Sequence, residues 1–331
     1  MERVMRAGWY EKTGPAFDVI SVGEIETPTP GYGEVLVRVH ASGINPSDYK
    51  RRANLKVPAE FPRVVPHSDG AGIVAGLGAG VAGLREGDRV WVYNAQWRRP
   101  LGTAAEYVCL PASLVQPLPQ GTSFAEGACF GIPAMTGYHA VHVGGPVKGK
   151  TVYVPGATGR VGAYAVQFAK WRGARVIAST GGGDRQRAEI HSLGADLVLD
   201  RKASNIADEI MKDTGGRGVD LVVEVDLPGN IAFDESILAE RGSIVSFGAA
   251  STPSVPVTQT GRRARNMGLH FIFVYLLDEP TFAATCAGIN EVASAGLLKH
   301  RIGGIYPLAE LAKAHHDAEH ATGTGHIVVE C

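Results

Sequence analysis

Residues 151–171 read Thr151-Val-Tyr-Val154-Pro155-Gly156-Ala157-Thr158-Gly159-Arg160-Val161-Gly162, followed by Ala-Tyr-Ala-Val-Gln-Phe-Ala-Lys-Trp171. A short apolar strand runs into glycines three residues apart, and these open onto a segment with apolar residues at helical spacing. The first glycine permits a tight turn, the second lets backbone approach a pyrophosphate, and the third lets helix and strand pack closely. The helix start then offers unpaired N–H groups to phosphate. Ala157 and Thr158 stand in the region of the usual second glycine of GxGxxG, so the strand, turn and helix setting carries more weight than the spacing alone.

Outward from this turn the same unit repeats. Strand Arg175–Thr180 precedes a helix over 184–193, strand 196–199 a helix over 203–212, and strand 219–225 a helix over 230–240, with a further strand over 243–248. Such alternation predicts a doubly wound parallel sheet of the Rossmann type. Upstream, short strands separated by Gly and Pro, at Glu34–His40, Gly72–Ala75 and Asp88–Tyr93, predict a compact β-rich domain. Ser123-Phe-Ala-Glu126 has capping-box spacing and starts a helical stretch to about Val143. Beyond the loop Ser251–Pro256 a strand over 269–277, a helix from about Pro280, a helix over 307–320 and a strand over 327–330 break the rhythm. The expected α/β architecture is therefore a β-rich domain made of 1–124 and 260–331, with a dinucleotide-binding domain, 125–259, inserted into it.

A chain of 331 residues exceeds the ~250–300 at which single cores stop growing, so two domains are expected. Lys and Arg total 32 against 33 Asp and Glu, leaving no excess field to draw in nucleic acid or an anionic membrane. No uninterrupted apolar run approaches the ~18 residues of a membrane span. Cys109, Cys129, Cys286 and Cys331 contain no CxxC pair, which fits neither a disulfide framework nor a cysteine-rich zinc lobe and suits a reducing cytoplasm.

Cofactor preference is read at the end of the second parallel strand. Folds that prefer NAD place an acid there for the ribose hydroxyls, whereas this chain has Ser179-Thr180-Gly181-Gly182-Gly183-Asp184-Arg185. Hydroxyls, glycine N–H groups and the Arg185 guanidinium could accept a 2′-phosphate, so NADPH is favoured over NADH. Arg187 reads as a solvated residue of the helix's first turns.

Four further stretches complete the pattern: Gly43-Ile-Asn45-Pro-Ser-Asp48-Tyr49, Pro66-His-Ser-Asp-Gly70-Ala-Gly-Ile-Val74, Leu84-Arg-Glu-Gly87-Asp-Arg-Val90 and Gly325-His-Ile-Val328. With the glycine turn they make the chain resemble the medium-chain dehydrogenase/reductase superfamily along essentially its whole length. Within it, the zinc-independent, zeta-crystallin-like quinone oxidoreductases are most similar. The resemblance implies a GroES-like catalytic domain, an inserted Rossmann domain, a cleft between them, NADPH as hydride donor and a homodimer.

Zinc-dependent relatives place a cysteine where Asn45 stands, a His-Glu pair near Gly70 and Gly72, and a four-cysteine lobe after a strand like Asp88–Tyr93. Here His67 and Asp69 alone are too few ligands for a tetrahedral Zn²⁺. Without a Lewis acid the hydride must go to an acceptor already electrophilic, a quinone or an α,β-unsaturated ketone. A hydrogen-bond donor then stabilises the oxyanion that forms. The resemblance puts Asn45 at that oxygen and Thr136 beside the nicotinamide, with Tyr49 as a candidate proton source. Val225, Gly248, Ala249, Phe271 and Phe273 match segments that line the nicotinamide or adenosine in relatives. Asp200 and Ala321 fall near positions where relatives carry a tyrosine and an arginine for the 2′-phosphate, which leaves Arg185 with less help. A catalytically silent NADPH-binding protein is the competing reading, since a fold does not guarantee chemistry.

Overall fold

The computed structural model describes residues 4–54, 56, 58–248, 254–255, 263–320 and 325–331. The chain forms two compact units, Met1–Pro133 with Ile289–Cys331, and Ala134–Gly288. No helix among the described residues is long and apolar enough to cross a membrane.

The first unit begins with a hairpin of β1 (Val4–Trp9) and β2 (Ser21–Glu26), joined through the short helix α1 (Ala16–Val19). Its main sheet contains β3 (Glu34–Ile44), β4 (Asp69–Leu77), β5 (Arg89–Val92), β6 (Tyr107–Pro111), β7 (Val115–Pro117), β14 (Ile302–Pro307) and β15 (His326–Glu330). The order is β14-β15-β3-β4-β5-β7, with β6 on β3. Inward-facing valines Val35, Val37, Val39, Val74, Val90 and Val92 fill its core, as period-two alternation requires. Helix α2 (Pro46–Ala53) leaves the end of β3, with Pro46 at its first position and the Asp48 carboxylate accepting from the Asn45 N–H at 2.7 Å.

The capping box at Ser123 forms, yet the helix after it is not continuous. Helix α3 covers Phe124–Gly127 and α4 covers Met135–His142, and between them Gly131 takes a non-helical conformation within a wide turn over Phe130–Ala134 that includes Pro133. Pro133 lacks the N–H that a regular helix would use.

The second unit is built on a parallel sheet of β8 (Thr151–Val154), β9 (Arg175–Thr180), β10 (Leu197–Asp200), β11 (Val219–Glu224), β12 (Leu238–Ser246) and β13 (Gly268–Phe271). Its order, β10-β9-β8-β11-β12-β13, is the 3-2-1-4-5-6 arrangement of a doubly wound sheet. The crossover helices are α5 (Arg160–Trp171), α6 (Asp184–Ser192), α7 (Ile206–Asp213) and α8 (Leu227–Ile237). All four residues of β8 are buried, the mark of a strand covered on both faces.

Two differences from the sequence reading concern where the chain leaves this sheet. The strand expected over 269–277 ends at Phe271, and a 3-10 turn, Val274–Leu276, follows. That strand pairs parallel with β12, from Ser243 opposite Gly268 to Ser246 opposite Phe271, so it is a sixth strand of the second unit's sheet. Most of helix α9 (Glu279–Ser294) follows it into the same unit, and the return lies near residue 288 rather than 260. Helix α10 (Leu311–His320) and β15 complete the first unit.

Candidate active site

In the second unit the glycine turn connects β8 to α5, with Gly156 at φ +60° and Gly159 as the cap of the helix. A Cβ on Gly162 would lie 2.8 Å from the Gly156 carbonyl oxygen and 3.0 Å from Ala157 Cα, so the helix can approach the turn this closely only without one. The turn is tied to the next strand by the Ala157 N–H, which donates to the Ser179 carbonyl at 3.0 Å. Thr158 and Thr180 hydroxyls lie 3.4 Å apart. Val225 and Gly248 follow the ends of β11 and β12, and a Cβ on Gly248 would strike the Val225 carbonyl. The structure thus gathers the predicted nucleotide residues at the carboxyl ends of neighbouring strands, at the point where strand order reverses. Phe271 and Phe273 are exposed at the end of β13. Ala249 lies outside the described residues.

The groups around Gly181 are arranged differently from the sequence expectation. Ser179 is fully buried and its hydroxyl bonds the Tyr153 hydroxyl at 2.8 Å, so it gives the turn a carbonyl rather than a side chain. Thr180 Oγ1 accepts from the Gly182 N–H at 3.1 Å. Arg185 is exposed in the first turn of α6, while Arg187 pairs with Asp184 at 2.6 Å. The cations nearest Gly181 come from the end of β10. A Cβ on that glycine would lie 3.6 Å from Lys202 Cε and 3.7 Å from Arg201 Nη2. Both side chains are exposed. The signal in the sequence was a basic pair directly after the third parallel strand, but only the pairing of β9 with β10 brings it to Gly181.

Thr136 is buried on α4, and beside it Gly137 lets that helix pack against α5 at Tyr164 and Ala165. A second buried feature was not expected. Glu224, the last residue of β11, and Asp234 of α8 are both fully buried. Glu224 Oε1 accepts from the Asp226 N–H and from Asn230 Nδ2, the latter at 3.0 Å. Burial first, then the neighbouring Glu224 carboxyl, push Asp234 up to about 9.

In the first unit Asn45 caps α2 and is 2% exposed. Its Nδ2 donates to Asp69 Oδ2 at 2.6 Å, and the same oxygen accepts from the Ile132 N–H at 2.8 Å. Tyr49, one turn further along α2, is half-buried against the cluster containing Met5, Ile44 and Leu311.

His67 has φ +79° and is fully buried, and its hydrogen bonds fix its tautomer. Thr103 donates its one hydroxyl hydrogen to the Asp69 carbonyl at 2.6 Å. Ser42, 2.7 Å from Thr103 Oγ1, must then donate to it, and His67 Nδ1–H must donate to Ser42 Oγ at 2.7 Å. His67 Nε2 is left as the acceptor for His315 Nε2–H at 2.9 Å. Both ring nitrogens of His67 are therefore spent inside the protein. Burial lowers His67 to about 3, and burial together with His67 and Arg52 lowers His315 as well, so both rings are neutral.

A 3-2-1-4-5-6 parallel sheet with a glycine turn after its first strand, in one chain with a valine-filled β unit, is the architecture of the two-domain pyridine-nucleotide-dependent dehydrogenases. Family models agree: residues 31–120 match the alcohol dehydrogenase GroES-like domain and residues 161–284 the zinc-binding dehydrogenase family. The quinone oxidoreductase of Pongo abelii is 30% identical over 332 residues, covering 99% of this chain and 98% of the relative. Among solved structures, an NAD-dependent alcohol dehydrogenase superposes with a TM-score of 0.88 at 26% identity, over 99% of this chain and 100% of the other. A mycobacterial quinone oxidoreductase has a TM-score of 0.86 at 29% identity, and a mycobacterial protein complexed with NADPH one of 0.85 at 28%, each with the same coverage. The chain belongs to the quinone oxidoreductase family of the medium-chain dehydrogenases/reductases.

Proposed function

We propose that this protein reduces a quinone with NADPH and without a metal ion. The observation that carries the metal-free part is the engagement of His67, whose two nitrogens face Ser42 and His315 and leave no lone pair for a cation. Asn45 stands where zinc-dependent relatives have a thiolate, and Asp69 Oδ2 already serves two donors. This donor set does not fit Zn²⁺.

The second unit fits a dinucleotide. The turn over 156–162, whose close approach to α5 a Cβ on Gly162 would prevent, and the start of α5 would hold the pyrophosphate. Arg201 and Lys202, with Arg185 nearby, would hold a 2′-phosphate. Val225, Gly248, Phe271 and Phe273 would flank the ring systems. NADPH, when bound, supplies the hydride. The chain's own residues then need only align an electrophilic acceptor and stabilise the charge on its oxygen, the part proposed for Asn45 with Thr136. Tyr49 packs into a core cluster, which favours solvent as the proton source. A homodimer in the cytoplasm, with no disulfide among the described cysteines, completes the proposal.

The deciding experiment measures NADPH and NADH oxidation with a p-naphthoquinone and with an enone, before and after dialysis against a chelator. Quinone turnover that survives chelation and prefers NADPH is expected. In the double variant Arg201→Glu/Lys202→Glu, KM for NADPH should rise by about tenfold or more while that for NADH changes little, on the worth of charge-assisted bonds to phosphate. Loss of activity with metal removal would overturn the metal-free reading, and faster enone reduction would replace the substrate class.

A further inference from the structure

The carboxyl of Asp69 is an unusual neighbour for a residue assigned to an oxyanion. Asp69 opens β4 opposite Gly43 and is fully buried. Its Oδ2 accepts from Asn45 Nδ2 and from the Ile132 N–H, while Oδ1 is buried with no hydrogen-bond partner among the described residues. Oδ1 lies against Gly131, where a Cβ would come within 2.1 Å of it. The non-helical turn at Gly131 is thus what leaves room for the carboxyl and aims the Ile132 N–H at it.

We propose that Asp69 is the positioning residue for Asn45, holding one amide hydrogen so that the second is presented to the acceptor oxygen. The proposal rests on the reading that Asn45 serves that oxygen. A primary amide can reverse its oxygen and nitrogen by rotating about one bond, and a hydroxyl partner would tolerate either orientation. Asp69 Oδ2 is already committed as an acceptor to a backbone N–H, so it repels the Asn45 carbonyl and admits only Nδ2. Among the described residues no lysine or arginine is paired with Asp69, and the Asp48 carboxylate adds further negative potential. Burial, which outweighs the bond from Asn45, pushes Asp69 well above the usual carboxylate range. In that neutral form Oδ1 carries the proton and Oδ2 is a carbonyl acceptor. A neutral Asp69 adds no second negative charge, beyond that of Asp48, behind an oxygen that becomes anionic during reduction, and the Asn45 donor keeps more of its electrostatic value.

The test compares wild type with Asp69→Asn, Asp69→Ala, Asn45→Ala and the double variant Asn45→Ala/Asp69→Ala. With a p-naphthoquinone, Asp69→Ala should lower kcat by about 10–100-fold, the cost of a misplaced donor. Asp69→Asn keeps a neutral group with a carbonyl oxygen at Oδ2, and should recover to within about threefold of wild type. The double variant should be no worse than Asn45→Ala. Two readouts do not depend on turnover. The Asn45 side-chain N–H should exchange slowly in wild type and Asp69→Asn and quickly in Asp69→Ala, and wild type should show a carboxylic-acid infrared band that Asp69→Asn lacks. The proposal is overturned if Asp69→Asn falls as far as Asp69→Ala, if the two single losses multiply in the double variant, or if the acid band is absent. Wild-type inactivity toward quinone and enone, with the Asn45 amide still protected, would instead sink the functional reading alone.

Discussion

Gly162 shows most directly how one residue shapes the proposed nucleotide site. The space its missing Cβ leaves, against the Gly156 carbonyl and Ala157, is what brings the start of α5 close to the turn. Gly162→Val should therefore weaken NADPH binding by about tenfold or more and lower the thermal midpoint, since overpacking of this kind costs about 1–3 kcal/mol. Fluorescence titration and thermal unfolding would check it, and an unchanged affinity would remove the turn from the site. At Ser179 the same scale reverses an expectation. The sequence offers a hydroxyl for phosphate, but Tyr153 on the neighbouring strand claims it from inside the sheet. Nothing local to Ser179 could reveal that, because the two residues are 26 positions apart.

At the scale of elements, two buried titratable pairs give the two units opposite responses to pH. In the first unit, His67 on the loop before β4 and His315 on α10 are neutral when folded, whereas unfolded histidines take up protons near 6.5. The unfolded state binds more protons below that value, so this stability is full above pH 6.5 and is lost as pH falls toward 3. At pH 5, His67 alone should cost about 2 kcal/mol relative to neutrality. Urea unfolding followed from pH 7.5 to 5 should show a falling midpoint, and a flat profile would contradict the buried pair. In the second unit Asp234 keeps its proton up to about 9 when folded, against about 4 when unfolded. The folded state here binds more protons, so this contribution is full below pH 4 and declines as pH rises toward 9. Asp234→Asn, which cannot ionise, should raise stability at pH 8 by about 1–3 kcal/mol and by less at pH 5. Destabilisation at pH 8 would mean that an ionised Asp234 is satisfied in the folded protein.

For the whole molecule, the two units carry separate sheets and separate cores, and the proposed nucleotide contacts fall within 134–288. NADPH at about a hundred times its Kd should stabilise the folded state by ~2.7 kcal/mol, with NADH at equal concentration giving less if Arg201 and Lys202 hold the 2′-phosphate. Calorimetry with each nucleotide would measure the difference. Equal gains would assign the site to either nucleotide and remove the basis for a specific phosphate pocket. If the units unfold in separate transitions, the gain belongs to the one that contains β8 to β13.

The parallel sheet and the glycine turn were legible in the sequence because they rest on local periodicity and on the steric needs of single glycines. The expectation that Asn45 stands where zinc-dependent relatives place a cysteine came from the resemblance to the family, not from any local pattern. What the sequence could not supply depended on residues distant along the chain. The strand at Gly268–Phe271 looked like the start of the return, because its partner, β12, is fixed by hydrogen bonds across the sheet rather than by local pattern. The broken helix around Gly131 became intelligible only with the Asp69 carboxyl packed against it. His67 gained a partner 248 positions away, and Gly181 gained Arg201 and Lys202 from the next strand. Local sequence determined which elements form and where a phosphate can be cradled. Tertiary structure alone decided which polar atoms are already committed, because hydrogen bonds between buried groups depend on distance in space and not on separation along the chain.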